Sequence, residues 1–262
     1  MLEFLATIGH GTARWFARVG ALARFTFQAF GSLPSLPGAG RRVAARVLLN
    51  QLRFTALQAV PLIVLLSGVL SYLTIATTVT QLDKVGASEL IGKLMVVAIV
   101  RELGPLLTAV AIVGRSGTAI TAELATNTVL GEVRALEGMG IDPYHYLVLP
   151  RLFGCVVSVS TLMVLFDVVA VVGGFLAAAI IAGMSGPRYL GIVLANLTTQ
   201  DVVLTCLKGL LFGLVIGIIP SYEGLSVRRG PTEIPQAVIR GTVGSFALIF
   251  VLAAIIVGAV QG

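Results

Sequence analysis

The stretch Leu94–Val113 reads LMVVAIVRELGPLLTAVAIV, an apolar run carrying Arg101, Glu102, Gly104 and Pro105 in its interior. Crossing about 30 Å of hydrocarbon takes about 20 mostly apolar residues in a helix, so this run is long enough to span a membrane. A charge at membrane depth costs about 3 kcal/mol and faces a bundle interior or a polar pathway rather than lipid. Neighbouring helical positions point about 100° apart, so Arg101 and Glu102 are expected to find separate partners. Pro105 has no N–H, which frees the carbonyl of Arg101 four residues back and predicts a local kink with a spare acceptor beside the charges. The same residues also admit a purely structural reading, in which ion pairs pin helices together. Asp167 and Lys208 are further ionisable residues in apolar runs, open to a pairing or a snorkelling role.

Composition agrees with a membrane chain. The 262 residues are 57% hydrophobic and only 11% charged, with a mean hydropathy of +1.00. Soluble domains carry about 25% charged residues, so this chain has too little polar surface to clothe a water-soluble globule. The net charge of +6 fits membrane sidedness better than a nucleic-acid partner. Cys155 and Cys206 both lie in apolar runs, which excludes a disulfide scaffold or a cysteine-based zinc site. Leu2 to Ile8, interrupted by Glu3, lacks the basic lead and the cleavage site of a secretory signal.

Four further runs reach membrane length: Phe54 to Val79, Leu152 to Gly183, Val202 to Pro220 and Gly241 to Val260. The Leu152 run, about 48 Å as a helix, is expected to tilt, to bend near Gly173 and Gly174, or to protrude. Cytoplasmic loops retain Lys and Arg, and the basic residues fall unevenly. Arg14, Arg18, Arg24, Arg41, Arg42, Arg46 and Arg53 precede the first run; Arg115, Arg134 and Arg151 flank the second connection; Arg228, Arg229 and Arg240 precede the last. Only Lys84, Lys93 and Arg188 fall on the other side. The pattern predicts five crossings, a cytoplasmic N-terminus and an external C-terminus. Residues 1–50 form an N-terminal region and 51–262 the membrane domain.

Within that N-terminal region, Arg14, Arg18 and Arg24 recur at roughly helical spacing opposite Trp15, Phe16, Val19, Leu22, Phe27 and Phe30. Aromatic anchors beside arginines predict an amphipathic helix in the membrane interface, ended by the stretch from Gly31 to Gly40 with Pro34 and Pro37. A cytosolic targeting arm is the alternative.

Several chemistries fail on inspection. Gly114-Arg115-Ser116-Gly117 and Gly183-Met184-Ser185-Gly186 match a G-x-S-G nucleophile pattern, but His10 and His145 are the only histidines and neither lies in a span. Two histidines without nearby carboxylates make no metal cluster. There is no G-x-x-x-x-G-K-[ST] phosphate loop, so any nucleotide-driven work must be energised by another subunit.

Two other patterns carry structure. Between Thr121 and Pro143, Leu124, Val129, Val133, Leu136 and Gly140 fall near one stripe while Glu123, Glu132, Arg134 and Glu137 lie elsewhere. That predicts one or two short amphipathic cytoplasmic helices over 121–143, acting as a lid or as a docking element. Gly209, Gly213 and Gly217 repeat every four residues and predict close helix packing, within the chain or across a dimer.

The run Arg101-Glu102-Leu103-Gly104-Pro105, with Gly114-Arg115, Ala122-Glu123-Leu124, Glu132, Ala135-Leu136-Glu137, Met139-Gly140, Asp142-Pro143 and Pro150-Arg151 in the same order, resembles the MlaE (YrbE) family of ABC-transporter permeases associated with MCE proteins. The resemblance implies an all-α integral membrane protein: an N-terminal interfacial amphipathic helix, about five transmembrane helices and a cytoplasmic coupling helix. It implies a phospholipid transporter of the bacterial inner membrane in which two permease copies join two ATPase subunits and an external ring of MCE proteins, some systems adding a STAS-domain protein. The chain itself would be no enzyme and hold no cofactor, ATP and magnesium belonging to the ATPase. Arg101, Glu102 and Leu103, with Leu70, Leu73 and Thr77 of the first span, would line the lipid cavity. Glu123, Glu132, Arg134, Leu136 and Glu137 would form the coupling segment that docks on the ATPase. Two other classes stand beside this one. An ion-coupled secondary transporter would use Glu102 and Asp167 as a relay, though no inverted repeat is visible; a structural membrane subunit would use none of these residues chemically.

Overall fold

In a computed structural model, residues 20–28, 49–82, 95–228 and 230–261 are described, the side chains of 79–82 and 261 excepted. Among the described residues all regular structure is helical. We number the helices α1 (20–28), α2 (Leu49–Thr78), α3 (Met95–Val129), α4 (Glu132–Gly138), α5 (Tyr144–Ala182), α6 (Gly186–Asn196), α7 (Thr199–Leu225) and α8 (Pro231–Val260). Five of these, α2, α3, α5, α7 and α8, are long and apolar enough to cross a membrane. The chain is thus a multi-pass all-α membrane protein. Expectations placed on Trp15, Arg14, Arg18, Arg41, Arg42, Arg46, Lys84, Lys93 and Arg229 lie outside the described residues.

α5 is the spine, packing along α2 on one side and along α7 on the other, while α7 also packs on α8 and on the second half of α3. Small residues permit these approaches, because helix axes draw together only where no side chain intervenes. A Cβ on Gly209, Gly213 or Gly217 would meet the backbone Cα of Ser160, Val156 or Leu152 at 2.8, 2.6 and 2.9 Å, respectively. The four-residue glycine repeat is therefore an α7–α5 seam inside one chain. Gly173 does the same for α5 and α2, where a Cβ would lie 3.5 Å from the Cα of Gly68. Gly173 and Gly174 mark packing contacts along an α-helix that continues from Leu149 to Ala182.

The faces turned away from this seam are apolar and exposed: Leu65, Val69 and Leu73 on α2, Val157, Val168 and Ile180 on α5, Val243, Val251 and Ile255 on α8. Hydrocarbon is their natural solvent, which accounts for the missing charged coat.

The α3 span is not a regular α-helix. Met95–Leu103 and Val113–Gly117 are π-helical, with α-helical Gly104–Ile112 between them and Thr118–Val129 after. Pro105 stands at the start of the first α segment, where its missing N–H does least harm. A wider turn before a proline releases carbonyls to other partners, and such turns concentrate at functional sites. α3 runs on to Val129, so the first part of the 121–143 segment continues the second span. Gly131, with φ of 79°, makes the turn that only glycine takes readily, and the separate helix α4 follows.

At the end of the bundle where α5 begins, Phe25 of α1 is buried between Tyr144 and Tyr222, ring centroids 5.3 and 5.6 Å away. Phe27 of the same helix is exposed.

Candidate functional site

The two charges in the middle of the α3 span, Arg101 and Glu102, are answered by α7. Arg101 donates from Nε to Oδ1 of Asp201 at 2.7 Å, and its Nη2 lies 2.6 Å from the same oxygen. Asp201 is held in place locally: it is the fourth and last residue of a capping box whose first member is Thr198. Its Oδ2 accepts from the Thr198 amide at 2.9 Å and the Thr198 hydroxyl at 2.8 Å. An acid here also suits the positive end of the α7 dipole. Two turns on, Lys208 donates to Oε2 of Glu102 at 3.0 Å and to the main-chain carbonyl of Arg101 at 2.6 Å. That carbonyl is the acceptor freed by Pro105. Arg101 and Glu102 thus reach different partners about 10.5 Å apart along α7, as their divergent directions require.

Asp201 and Lys208 are buried, while the Arg101 and Glu102 side chains remain 25% and 33% exposed. They open on a narrow crevice whose other walls are Leu204 of α7 and Ile256, Val257 and Val260 of α8. Leu103 is exposed beside them. Leu70, Leu73 and Thr77 lie on α2 and are not among the crevice-lining residues. Leu73 and Thr77 are exposed, whereas Leu70 is half-buried against the core. Gly104 backs the cluster: a Cβ there would stand 2.9 Å from the Ile99 carbonyl and 3.0 Å from Oδ1 of Asp167. Asp201, the partner of Arg101, is the member of the cluster that the sequence reading missed. Its signal was Thr198-Thr199-Gln200-Asp201, a capping spacing read on the wrong side of a loop boundary.

The residues expected to form a coupling segment lie at the other end of the bundle. Glu123 and Arg151 pair at 2.8 Å, tying α3 to α5. Glu123, Glu132, Leu136 and Arg151 border a groove of about 610 Å³ floored by Phe54, Met139 and Leu147. Leu136 and Val133 turn toward the core, and Arg134 and Glu137 are exposed on α4 outside the groove. Nearby, Arg115 bonds the Phe54 carbonyl at 3.1 Å and Gln58 at 2.6 Å, and Arg240 joins α8 to Glu223 of α7 at 2.8 Å. Ser116 and Ser185 lie in no catalytic arrangement among the described residues; Ser116 is buried. No group of three or more His, Cys, Asp or Glu residues is placed to hold a metal among the described residues.

At the far end of α5, Tyr189 of α6 is buried against Gly174. Burial pushes its phenol up to about 12, so the hydroxyl stays neutral.

The family model described as Permease MlaE matches residues 48–258. The chain belongs to the MlaE permease family. The matched region takes in the first four spans whole, α8 as far as Gly258, both ion pairs of the α3–α7 cluster and α4. The chain is 28% identical to a probable ABC transporter permease protein of Rickettsia typhi, covering 96% of this chain and 95% of the relative. It is 30% identical to a probable ABC transporter permease protein of Synechocystis, over 92% of this chain and 90% of that one. A Haemophilus influenzae protein named intermembrane phospholipid transport system permease protein MlaE is 27% identical over 99% of both chains. Membership in this family makes the chain an ABC-type permease rather than an enzyme acting by a serine or a metal.

Proposed function

We propose that this permease is the membrane-spanning subunit of an ABC transporter that moves phospholipid between the bacterial inner membrane and MCE-domain carriers. Two copies would work together, driven by ATP hydrolysis in a separate subunit that holds ATP and magnesium. The observation that carries the proposal is the crevice of α3, α7 and α8, where Arg101 and Glu102 stand partly exposed beside an aliphatic wall. A phospholipid needs both surfaces: donors for its phosphate and alkyl contact for its chains. Arg101 spends Nε and Nη2 on Asp201 and would offer Nη1 to a phosphate oxygen. Leu103 and the α2 face bearing Leu73 and Thr77, with Leu70 behind it, would supply the chain-binding wall that a second copy closes.

α4 supports the coupling half of the proposal. Val133 and Leu136 face inward while Arg134 and Glu137 are exposed outside the groove that Glu132 borders, which leaves a charged face free for a partner. Closure of the ATPase pair on nucleotide would draw two such helices together and change the gap between permeases. The phospholipid transport named for the Haemophilus relative supports the substrate class. The test is native mass spectrometry of the complex purified with the products of neighbouring genes. Two permeases, two ATPases and retained phospholipid are expected; a lone permease free of lipid would overturn the proposal and favour an ion-coupled or structural subunit. A STAS-domain protein bound to the ATPase would be an additional component in the same spectrum.

A further inference from the structure

α2 is interrupted near its start, and the cause is local. Pro61 has no N–H with which to bond the Leu57 carbonyl four residues back, so that carbonyl accepts from Val60, three residues on. The chain is α-helical over 49–55, passes through a 3-10 turn at Leu57–Ala59 and resumes α-helix at Val60. A 3-10 turn inside a longer helix is the geometry of a hinge. The two sides of the interruption are anchored differently. From it onward α2 buries Ala59, Ile63, Ser67, Ser71 and Ile75, one every four residues. Before it, the arm 49–55 buries only Gln51 and Thr55. These two bond each other at 2.7 Å, and Gln51 meets α5 at the Cys155 sulfur, 3.9 Å away. A segment that buries so little apolar surface moves at low cost.

Arg115 spans the interruption. Its Nη1 donates to the Phe54 carbonyl at 3.1 Å, before the turn, and its Nη2 to Oε1 of Gln58 at 2.6 Å, within it. Its guanidinium also lies over the Phe54 ring, 5.4 Å from the centroid. Arg115 stands in an irregular stretch of its own, the π turn Val113–Gly117 of α3. The arm lines the groove of about 610 Å³ through Asn50, Gln51 and Phe54, and α4 lines it through Glu132, Ala135 and Leu136, with Met139 just beyond. Phe54 and Met139 are both exposed in that groove. Bringing them together would bury apolar surface that the arm, held by Arg115, leaves open. We propose that residues 56–59 are a hinge latched by Arg115, about which the arm 49–55 swings to bring Phe54 onto Met139 and narrow the groove beside α4. The latch is a two-state element: Arg115 holds the open arrangement, and the Phe54–Met139 contact favours the closed one. It concerns this chain alone and stands whether or not an ATPase docks on α4.

The test is double electron–electron resonance on the full-length permease in lipid nanodiscs. Spin labels are placed at Asn50→Cys and Ala135→Cys, both exposed and both on the groove. Cys206→Ala removes the exposed native thiol, and Cys155 is buried from the label. Labelled chains are diluted into unlabelled ones so that each distance arises within one chain. The parent chain is expected to give one main distance. Arg115→Met is expected to raise the share of a second, shorter distance about tenfold, the scale of one charge-assisted hydrogen bond. Gln58→Leu, at an exposed position, removes one of the two acceptors. It is expected to shift the distribution the same way by a smaller factor, and it decides the matter should Arg115→Met fail to fold. An unchanged distribution, or one that broadens or lengthens without a shorter component, would overturn the proposal. So would a loss of thermal stability with the distance unmoved, the mark of an arginine that only staples two helices.

Discussion

Lys208 serves two acceptors at once, the carboxylate of Glu102 and the carbonyl that Pro105 releases. Removing it alone leaves the carbonyl and the partly exposed Glu102 carboxylate without that donor, which costs more than the pair contributes when intact. Lys208→Met is therefore expected to destabilise the purified permease by about 3 kcal/mol, and Glu102→Gln in the same chain to recover about 1–2 kcal/mol of that. A double-mutant cycle on thermal unfolding in detergent reads the coupling; strictly additive effects would contradict the pairing. The sequence made half of this visible. Arg101, Glu102, Lys208 and the freed carbonyl could be singled out because charge and proline are conspicuous in an apolar run. Their pairing could not, since it depends on which face of α7 meets α3. Asp201 escaped notice because it sits at the membrane edge, where an acid is unremarkable until Arg101 is placed against it.

Among the elements, α3 shows how local chemistry sets shape. Charges, Gly104 and Pro105 make a regular helix costly there, and the chain answers with a π-helical stretch in which the Arg101 carbonyl is satisfied by Lys208 of α7. Hydropathy located this span, while its π geometry and its run to Val129 were not legible, because both are set by tertiary partners such as Arg151 for Glu123. The glycine repeat of α7 was legible as a packing face but not as an α5 contact. Gly213→Val is expected to cost about 2 kcal/mol or more and to lower the yield of folded permease, because its Cβ would meet backbone at 2.6 Å, which cannot swing aside. Gly258→Ala, with nothing within 4 Å, is the matched control and should leave thermal stability unchanged within about 0.5 kcal/mol. α4 belongs to the same scale: Glu132→Lys on its exposed face should weaken recovery of the ATPase in a pull-down without lowering permease stability. Undiminished recovery would count against α4 as the docking element.

For the molecule as a whole, five spans and the uneven distribution of arginines predict that residues 20–28, α4 and the α7–α8 turn face the cytoplasm. A reporter fused after Gly262 should then be active only on the external side, and the same reporter inserted at Gly140 only in the cytoplasm; the reverse pattern would invert the account. The number of spans was readable from sequence because each crossing needs its own apolar run. The arrangement of copies was not, since the apolar face of α2 looks the same whether lipid or a second permease covers it. The central claim is that the α3–α7 charges handle lipid rather than merely hold helices together. Its most direct test is ATP-driven transfer of fluorescent phospholipid in proteoliposomes, comparing the native complex with the exchange Glu102→Lys and Lys208→Glu, which keeps a pair but reverses its polarity. The account expects an assembled complex with transfer lowered at least about tenfold, the effect of losing one charge-assisted contact to the headgroup; transfer at the native rate would show the cluster to be structural.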